Sequence, residues 1–197
     1  MDIKTLAGNV CAPKGFKAAG IHCGIRKNSS KKDLALILSD VPCNAAGVFT
    51  KNKVKAAPVY IDMERLENGK ASAILANSGN ANACAPNGEK HARDCTFALA
   101  DVLKMSPDDI LVCSTGVIGQ ELNSSVIIEN LPVLVKKLAS NGGNDAAEAI
   151  MTTDLAKKEA AIEFILEGKK VRIGAIAKGS GMIHPNMGTM LSFITPD

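Results

Sequence analysis

Apolar positions along this chain fall into short runs rather than long ones, and their spacing alternates between strand-like and helical. Between 33 and 61 the runs LALILS, AGVFT and APVYI, separated by Pro42, Asn44 and the basic KNKVK, predict three strands. ASAILAN at 71–77 is a continuous apolar run and predicts a fourth, ending in NSGNANACAPNGE. A strand that feeds a loop of Asn, Gly and Ser suits a binding loop, because small polar residues let backbone N–H groups face a ligand. From about Gly88 to Lys104 the residues His91, Cys95, Ala98, Leu99 and Val102 recur at helical spacing, with Asn87 as the expected cap and Ser106 and Pro107 as the stop.

DDILVCS then predicts a return to strand, running straight into the Gly-rich TGVIGQ. A helix follows near Ser124 to Leu138, in which Pro132 is expected to start a new helix or kink the old one. SNGGND reads as a linker and Asp145 to Met151 as a short helix opening on TTD. AAIEFIL and KKVRIGAIAKG, joined by EGK, predict a hairpin turning at Gly168, and TMLSFI predicts a last strand. With no repeat, low-complexity segment or domain boundary, the pattern predicts one layered α+β domain over 1–197.

Composition narrows the function. Hydrophobic residues make up 46%, enough for a sizeable core, and 23 basic against 20 acidic side chains leave a net charge of only +3. Without a run of like charge, and with 3% aromatics, no nucleic-acid partner is expected. The N-terminus lacks a signal-peptide pattern and no apolar run is long enough to span a bilayer, so a cytoplasmic protein with no membrane partner is expected. Cys11, Cys23, Cys43, Cys84, Cys95 and Cys113 contain no C-x-x-C pair, and His22, His91 and His184 lack ligand spacing. Free thiols and no metal are expected.

Three stretches could carry chemistry. STGVIG at 114–119 could present Thr-Gly donors to a developing oxyanion, although a strand-to-helix turn would look the same. In MTTDLAKK, Thr152, Thr153 and Asp154 could bind a polar amino acid or simply cap a helix. In AKGSGMIHPNMGTMLSFITPD, Thr189 could become a nucleophile whose own α-amine is the base, provided the peptide bond after Gly188 is cut; the plainer reading is a Gly/Pro loop before a strand. Gly188 has no side chain and leaves its carbonyl open to Thr189 Oγ.

Six stretches in register, GFKAAGI, AAGVFTKNKVKAAPV, ILANSGNANAC, VCSTGVIGQ, IMTTD and AKGSGMIHPNMGTML, make the chain resemble the N-terminal half of the ornithine acetyltransferase (glutamate N-acetyltransferase) family of arginine biosynthesis. The resemblance implies an α/β sandwich with helices outside packed sheets and a self-processing Thr nucleophile. It implies cleavage between Gly188 and Thr189 into α and β chains that stay associated as a hetero-oligomer. It places the oxyanion pair on Thr115 and Gly116, and substrate contacts on Thr152 or Thr153, on Lys178 and on Thr189. The activity implied is acetyl transfer from N-acetylornithine to glutamate through an acetyl-threonine, without a cofactor, and in some members with acetyl-CoA as a second donor. The family runs to about twice this length, so the chain is expected to be an uncut, truncated precursor or a fragment, incomplete on its own. An N-terminal-nucleophile aminopeptidase or amidase, and a non-catalytic small-ligand-binding domain, are the alternatives.

Overall fold

The computed structural model describes residues 2–27, 29–180 and 190–197. Two four-stranded sheets carry the architecture. One runs β2 (Phe16–Ile21), β3 (Leu34–Asn44), β4 (Lys70–Asn80), β5 (Ile110–Val117) in that spatial order. The other runs β1 (Lys4–Leu6), β6 (Lys158–Leu166), β7 (Lys169–Lys178), β8 (Leu191–Pro196). All pairings are antiparallel except β4 with β5, which are parallel and joined through helix α2 (Gly88–Leu103), as a crossover connection requires.

The first sheet is apolar on both faces, which is why LALIL reads as an unbroken run rather than an alternating one. On one face Leu34, Leu36, Leu75 and Ile110 pack against Leu99 of α2 and against Ile127, Leu131 and Leu134 of α3 (Ser124–Lys136). On the other, Ala18, Ala35, Ile37 and Ala76 meet Ala146, Ala147 and Ile150 in and just after α4 (Gly143–Ala149), together with Ile176 and Phe193 of the second sheet. Helix α4 therefore touches strands of both sheets. The layered mixed fold expected from the resemblance is present, with α4 as a helix at the sheet-to-sheet junction.

Some local expectations change. APVYI is helical, the first half of α1 (Ala57–Arg65), with Pro58 in the first turn, where its missing N–H breaks no bond. The buried positions of α1 are Pro58, Ile61, Asp62 and Arg65, so its inner face is half polar and hid the helical period. Those polar groups dock it: Asp62 Oδ1 accepts from Val112 N at 2.8 Å, and Arg65 donates to Ile110 O at 2.5 Å and Thr96 Oγ1 at 2.9 Å. AGVFT forms no strand, and Val48 within it is fully exposed. Asn87 does not cap α2 with its side chain, which donates to Glu121 instead. Helix α3 runs on through Pro132 as one helix, and α4 begins inside the expected linker. Strands β1 and β2 were not expected. The hairpin at Gly168 is present, with Glu167 and Gly168 both at positive φ.

The closeness of α4 to the first sheet rests on Gly20, where an added Cβ would lie 2.0 Å from the Asp145 carbonyl oxygen. Gly20→Ala is accordingly expected to lower stability by ~3 kcal/mol, the upper end of what overpacking costs, as a shifted urea midpoint at unchanged slope. An unshifted midpoint would mean that α4 can move away freely.

Candidate functional site

Because β4 and β5 are parallel, their C-terminal ends emerge side by side, with Ser78 opposite Thr115 and Gly79 opposite Gly116. The two glycines lie back to back. Gly116 has φ of 135°, and a Cβ there would come within 2.4 Å of the Gly79 carbonyl carbon, so both the conformation and the space exclude a side chain. Thr115, 1% exposed, points the other way, toward the second sheet.

There it meets Lys178, the last residue of β7 and only 4% exposed, whose Nζ donates to Thr115 Oγ1 at 3.0 Å. Burial pushes the Lys178 ammonium below the ordinary lysine range; Asp154 counters this, while Lys158 and Arg26 add to it. The contact brings Lys178 to the adjacent Thr115 and Gly116, from which the sequence places it far away.

The threonine pair joins the site through its neighbour. Asp154, 8% exposed, accepts from Lys158 Nζ at 2.6 Å, from Gly179 N at 2.8 Å and from Thr152 N at 3.3 Å. Its carboxylate thus ties the 152–154 turn to the residue directly after Lys178. Thr152 is half-buried and Thr153 exposed. Gly188 and Thr189 lie outside the described residues. Leu191, two residues after Thr189 in the sequence, pairs with Lys178 across the β7–β8 ladder.

Other residues at this place were not named one by one from the sequence, though the Asn-rich run was expected to form a binding loop. Arg26 donates to Ser78 Oγ at 2.8 Å and to the Met151 carbonyl, and Ser78 Oγ donates to Ala149 O at 2.5 Å. These bonds fasten β4 to the end of α4. Asn77, Asn80 and Asn82 are buried and bond largely to backbone, so the Asn-rich run holds its own turn with side chains rather than simply baring amides. The signal for them was the polar run NSGNAN following a fully apolar strand; Arg26 had none. Among the described residues, no group of three or more His, Cys, Asp or Glu is placed to hold a metal ion. No helix among them is long and apolar enough to cross a membrane.

Burial would raise the Asp154 pKa, but the Lys158 hydrogen bond and the two backbone donors outweigh it and hold the carboxyl at about 2, below its ordinary 3.8. A depressed folded pKa means that the stability Asp154 contributes is present above about pH 4 and is lost as pH falls toward about 2. Asp154→Asn is expected to lose roughly 2 kcal/mol near neutral pH, with the deficit shrinking across that acid window in paired urea melts. A deficit independent of pH would assign the loss to shape rather than charge.

Residues 17–197 match the ArgJ family. The arginine biosynthesis bifunctional protein ArgJ of Caldanaerobacter subterraneus subsp. tengcongensis is 50% identical over 99% of this chain and 48% of its own length. The chain thus spans about half the length of the curated relatives it matches. Among solved structures, the bifunctional ArgJ protein of Bacillus halodurans superposes with a TM-score of 0.88 at 38% identity, covering 96% of this chain and 98% of that one. Ornithine acetyltransferase from Mycobacterium tuberculosis, solved in complex with ornithine, gives a TM-score of 0.87 at 36% identity over 96% of this chain and all of its own. By sequence over nearly its whole length and by fold, the chain belongs to the ArgJ family.

Proposed function

We propose that the protein transfers the acetyl group of N-acetylornithine to glutamate through an acetyl ester on Thr189. One observation carries this reading. Lys178 donates to Thr115 Oγ1 beside Gly116, and the same Lys178 pairs in register with Leu191, two residues from Thr189. An oxyanion pair, a buried cation and the strand that begins just after the nucleophile thus converge on one strand end.

In this reading Thr189 Oγ first attacks the Gly188 carbonyl. The amide becomes an ester, water hydrolyses it, and the freed α-amine of Thr189 becomes the general base. In the transfer itself that amine takes the proton from Oγ, Oγ bonds to the acetyl carbon, and negative charge develops on the acetyl oxygen. Gly116 N–H and the Thr115 hydroxyl hold that charge. Because Lys178 donates to Thr115 Oγ1, the hydroxyl's own proton is left to point at the oxyanion. The C–N bond then breaks, ornithine leaves with the proton, and the amine of glutamate attacks the ester in the mirror-image step.

Arg26, Lys158 and Lys178 outnumber Asp154 and Asp33 here, a balance that suits the carboxylates both substrates carry. Thr152, half-buried beside Asp154, is the better placed of the two threonines to contact substrate. Nucleophile, base and oxyanion donors all come from the protein, so no resident cofactor is required, and acetyl-CoA would be an alternative donor to the same ester. The residues of the relatives that this chain does not span would complete the site, as a β chain held to the α chain in a hetero-oligomer. Buried thiols at Cys23 and Cys95 suit the reducing cytoplasm.

The test is intact mass and paired assays on the full-length gene product. Two pieces meeting at Gly188 and Thr189 are expected, with one uncut piece in Thr189→Ala. Acetyl transfer to glutamate should greatly exceed hydrolysis of N-acetylornithine. Lys178→Met, which keeps length and removes charge, should lower kcat/KM by about a hundredfold, the scale of one lost charge-stabilising group. An uncut parent, or hydrolysis outrunning transfer, would overturn the reading.

A further inference from the structure

We infer that Asn77 is the residue that aims the Thr115–Gly116 pair, acting from behind the site without touching substrate. The inference rests on the acetyl-transfer reading above. Successive residues of a strand face opposite sides, so with Thr115 turned toward Lys178, Ser114 is turned away from the reacting groups. Ser114 Oγ donates to Asn77 Oδ1 at 2.6 Å, and Asn77 Nδ2 donates to the Asn80 carbonyl at 2.9 Å. A carbonyl can only accept, so the amide nitrogen must face Asn80 and the amide oxygen is left for Ser114. One side chain, 3% exposed, thereby ties the residue before Thr115 to the residue after Gly79.

That tie sits where it sets the Gly116 amide. The β4–β5 register shifts at Gly79 and Asn80, so that Asn80 faces both Thr115 and Val117. Bulges of this kind re-aim the groups beside them. The space a Gly116 side chain would need is filled by the Gly79 carbonyl carbon at 2.4 Å and Asn80 N at 2.6 Å, so the 79–80 peptide and the Gly116 backbone are in direct contact. Where Asn77 holds the Asn80 carbonyl, the peptide next to Gly116 is held too. The Asn80 side chain extends the grip, accepting from Asn82 N at 2.7 Å and donating to the carbonyls of Gln120 and Glu121 at 3.1 and 3.2 Å. Both the approach to the Thr-Gly pair and the exit from it are thus fixed by asparagine amides.

An oxyanion donor that points slightly wide still lets substrate bind but loses strength where charge develops. Asn77→Asp keeps the acceptor for Ser114 and sets a carboxylate oxygen against the Asn80 carbonyl. Ser114→Ala removes the other half of the tie and leaves Asn77 in place. In the full-length, self-cut protein, both are expected to lower kcat for acetyl transfer by about tenfold to a hundredfold, with KM for N-acetylornithine and glutamate within about twofold. Rates are taken per competent site, counted by mass as the fraction of β chain acetylated when N-acetylornithine alone is supplied, so that a mere loss of folded protein does not register. Unchanged kcat per acetylated site, or a raised KM at unchanged kcat, would overturn the inference. If Asn77→Asp does not accumulate as folded protein, Ser114→Ala decides by the same outcomes. A parent enzyme that is never acetylated would instead overturn the acetyl-transfer reading itself.

Discussion

Everything at the site depends on how closely two sheets can approach across a helix made of small residues. Ala146, Ala147 and Ala149 of α4 present almost no side-chain bulk, and the strands they meet offer Ala18, Ala35, Ala76 and Gly20 in return. Such packing stabilises less per residue than a leucine layer would, since the apolar area buried is smaller. Its value lies in distance. With α4 seated this closely, the end of β7 reaches the end of β5, and a lysine of one sheet can bond to a threonine of the other at 3.0 Å. The leucine-rich core on the far face of the first sheet, against α2 and α3, supplies bulk burial in compensation.

The charges are arranged so that this lysine is not spent on a salt bridge. A buried ammonium next to a buried carboxylate would ordinarily pair with it. Here Asp154 is already bonded to Lys158 and to the backbone of Gly179 and Thr152, and it acts on Lys178 only through space. Lys158 thus binds the carboxylate that could otherwise divert Lys178 from Thr115. The same carboxylate fixes the backbone at Gly179, immediately beyond Lys178, so the direction in which the lysine enters the site is set by a group that does not compete for it.

How much of this was legible in the sequence follows from where each signal resides. Helices α2 and α3 and the hairpin at Gly168 were readable because their inner faces are apolar at the right period and their turn needs glycine. Helix α1 was misread because half its buried face is Asp62 and Arg65, whose burial depends on bonds to β5 and α2 that no local window contains. In β2, alanine and glycine stand where a helix must come close, so the strand lacks the β-branched residues that mark one. At the site, the residues alone left STG, TTD and the Gly188–Thr189 loop open to plain structural readings, and only the resemblance joined them. The structure adds their meeting place for Thr115, Gly116, Lys178 and the 152–154 turn. Arg26 is held by tertiary contacts that no motif announces, and Asn77 lies in the polar run NSGNAN, which marks a loop without showing the bond to Ser114.

The amide tie behind the site also bears on how the strands find their alignment. Sliding β4 by one residue against β5 would turn its apolar set, Ala73 and Leu75 among it, from the helix-facing core to the other side, but both faces of this sheet are buried and apolar, so hydrophobicity alone penalises such a slip weakly. A directional bond discriminates better. Asn77 meets Ser114 only when β4 and β5 are in the observed register, and a slip leaves the buried Asn77 amide oxygen and the buried Ser114 hydroxyl without each other, at roughly 1–3 kcal/mol each, while the Asn77–Asn80 bond lies within β4 and is kept. The Asn77–Ser114 contact proposed to aim Gly116 is therefore also one that tells the sheet which register is correct. A polar residue near the end of an apolar strand thus bonds across the sheet, where it marks register, and along its own strand, where it braces the turn.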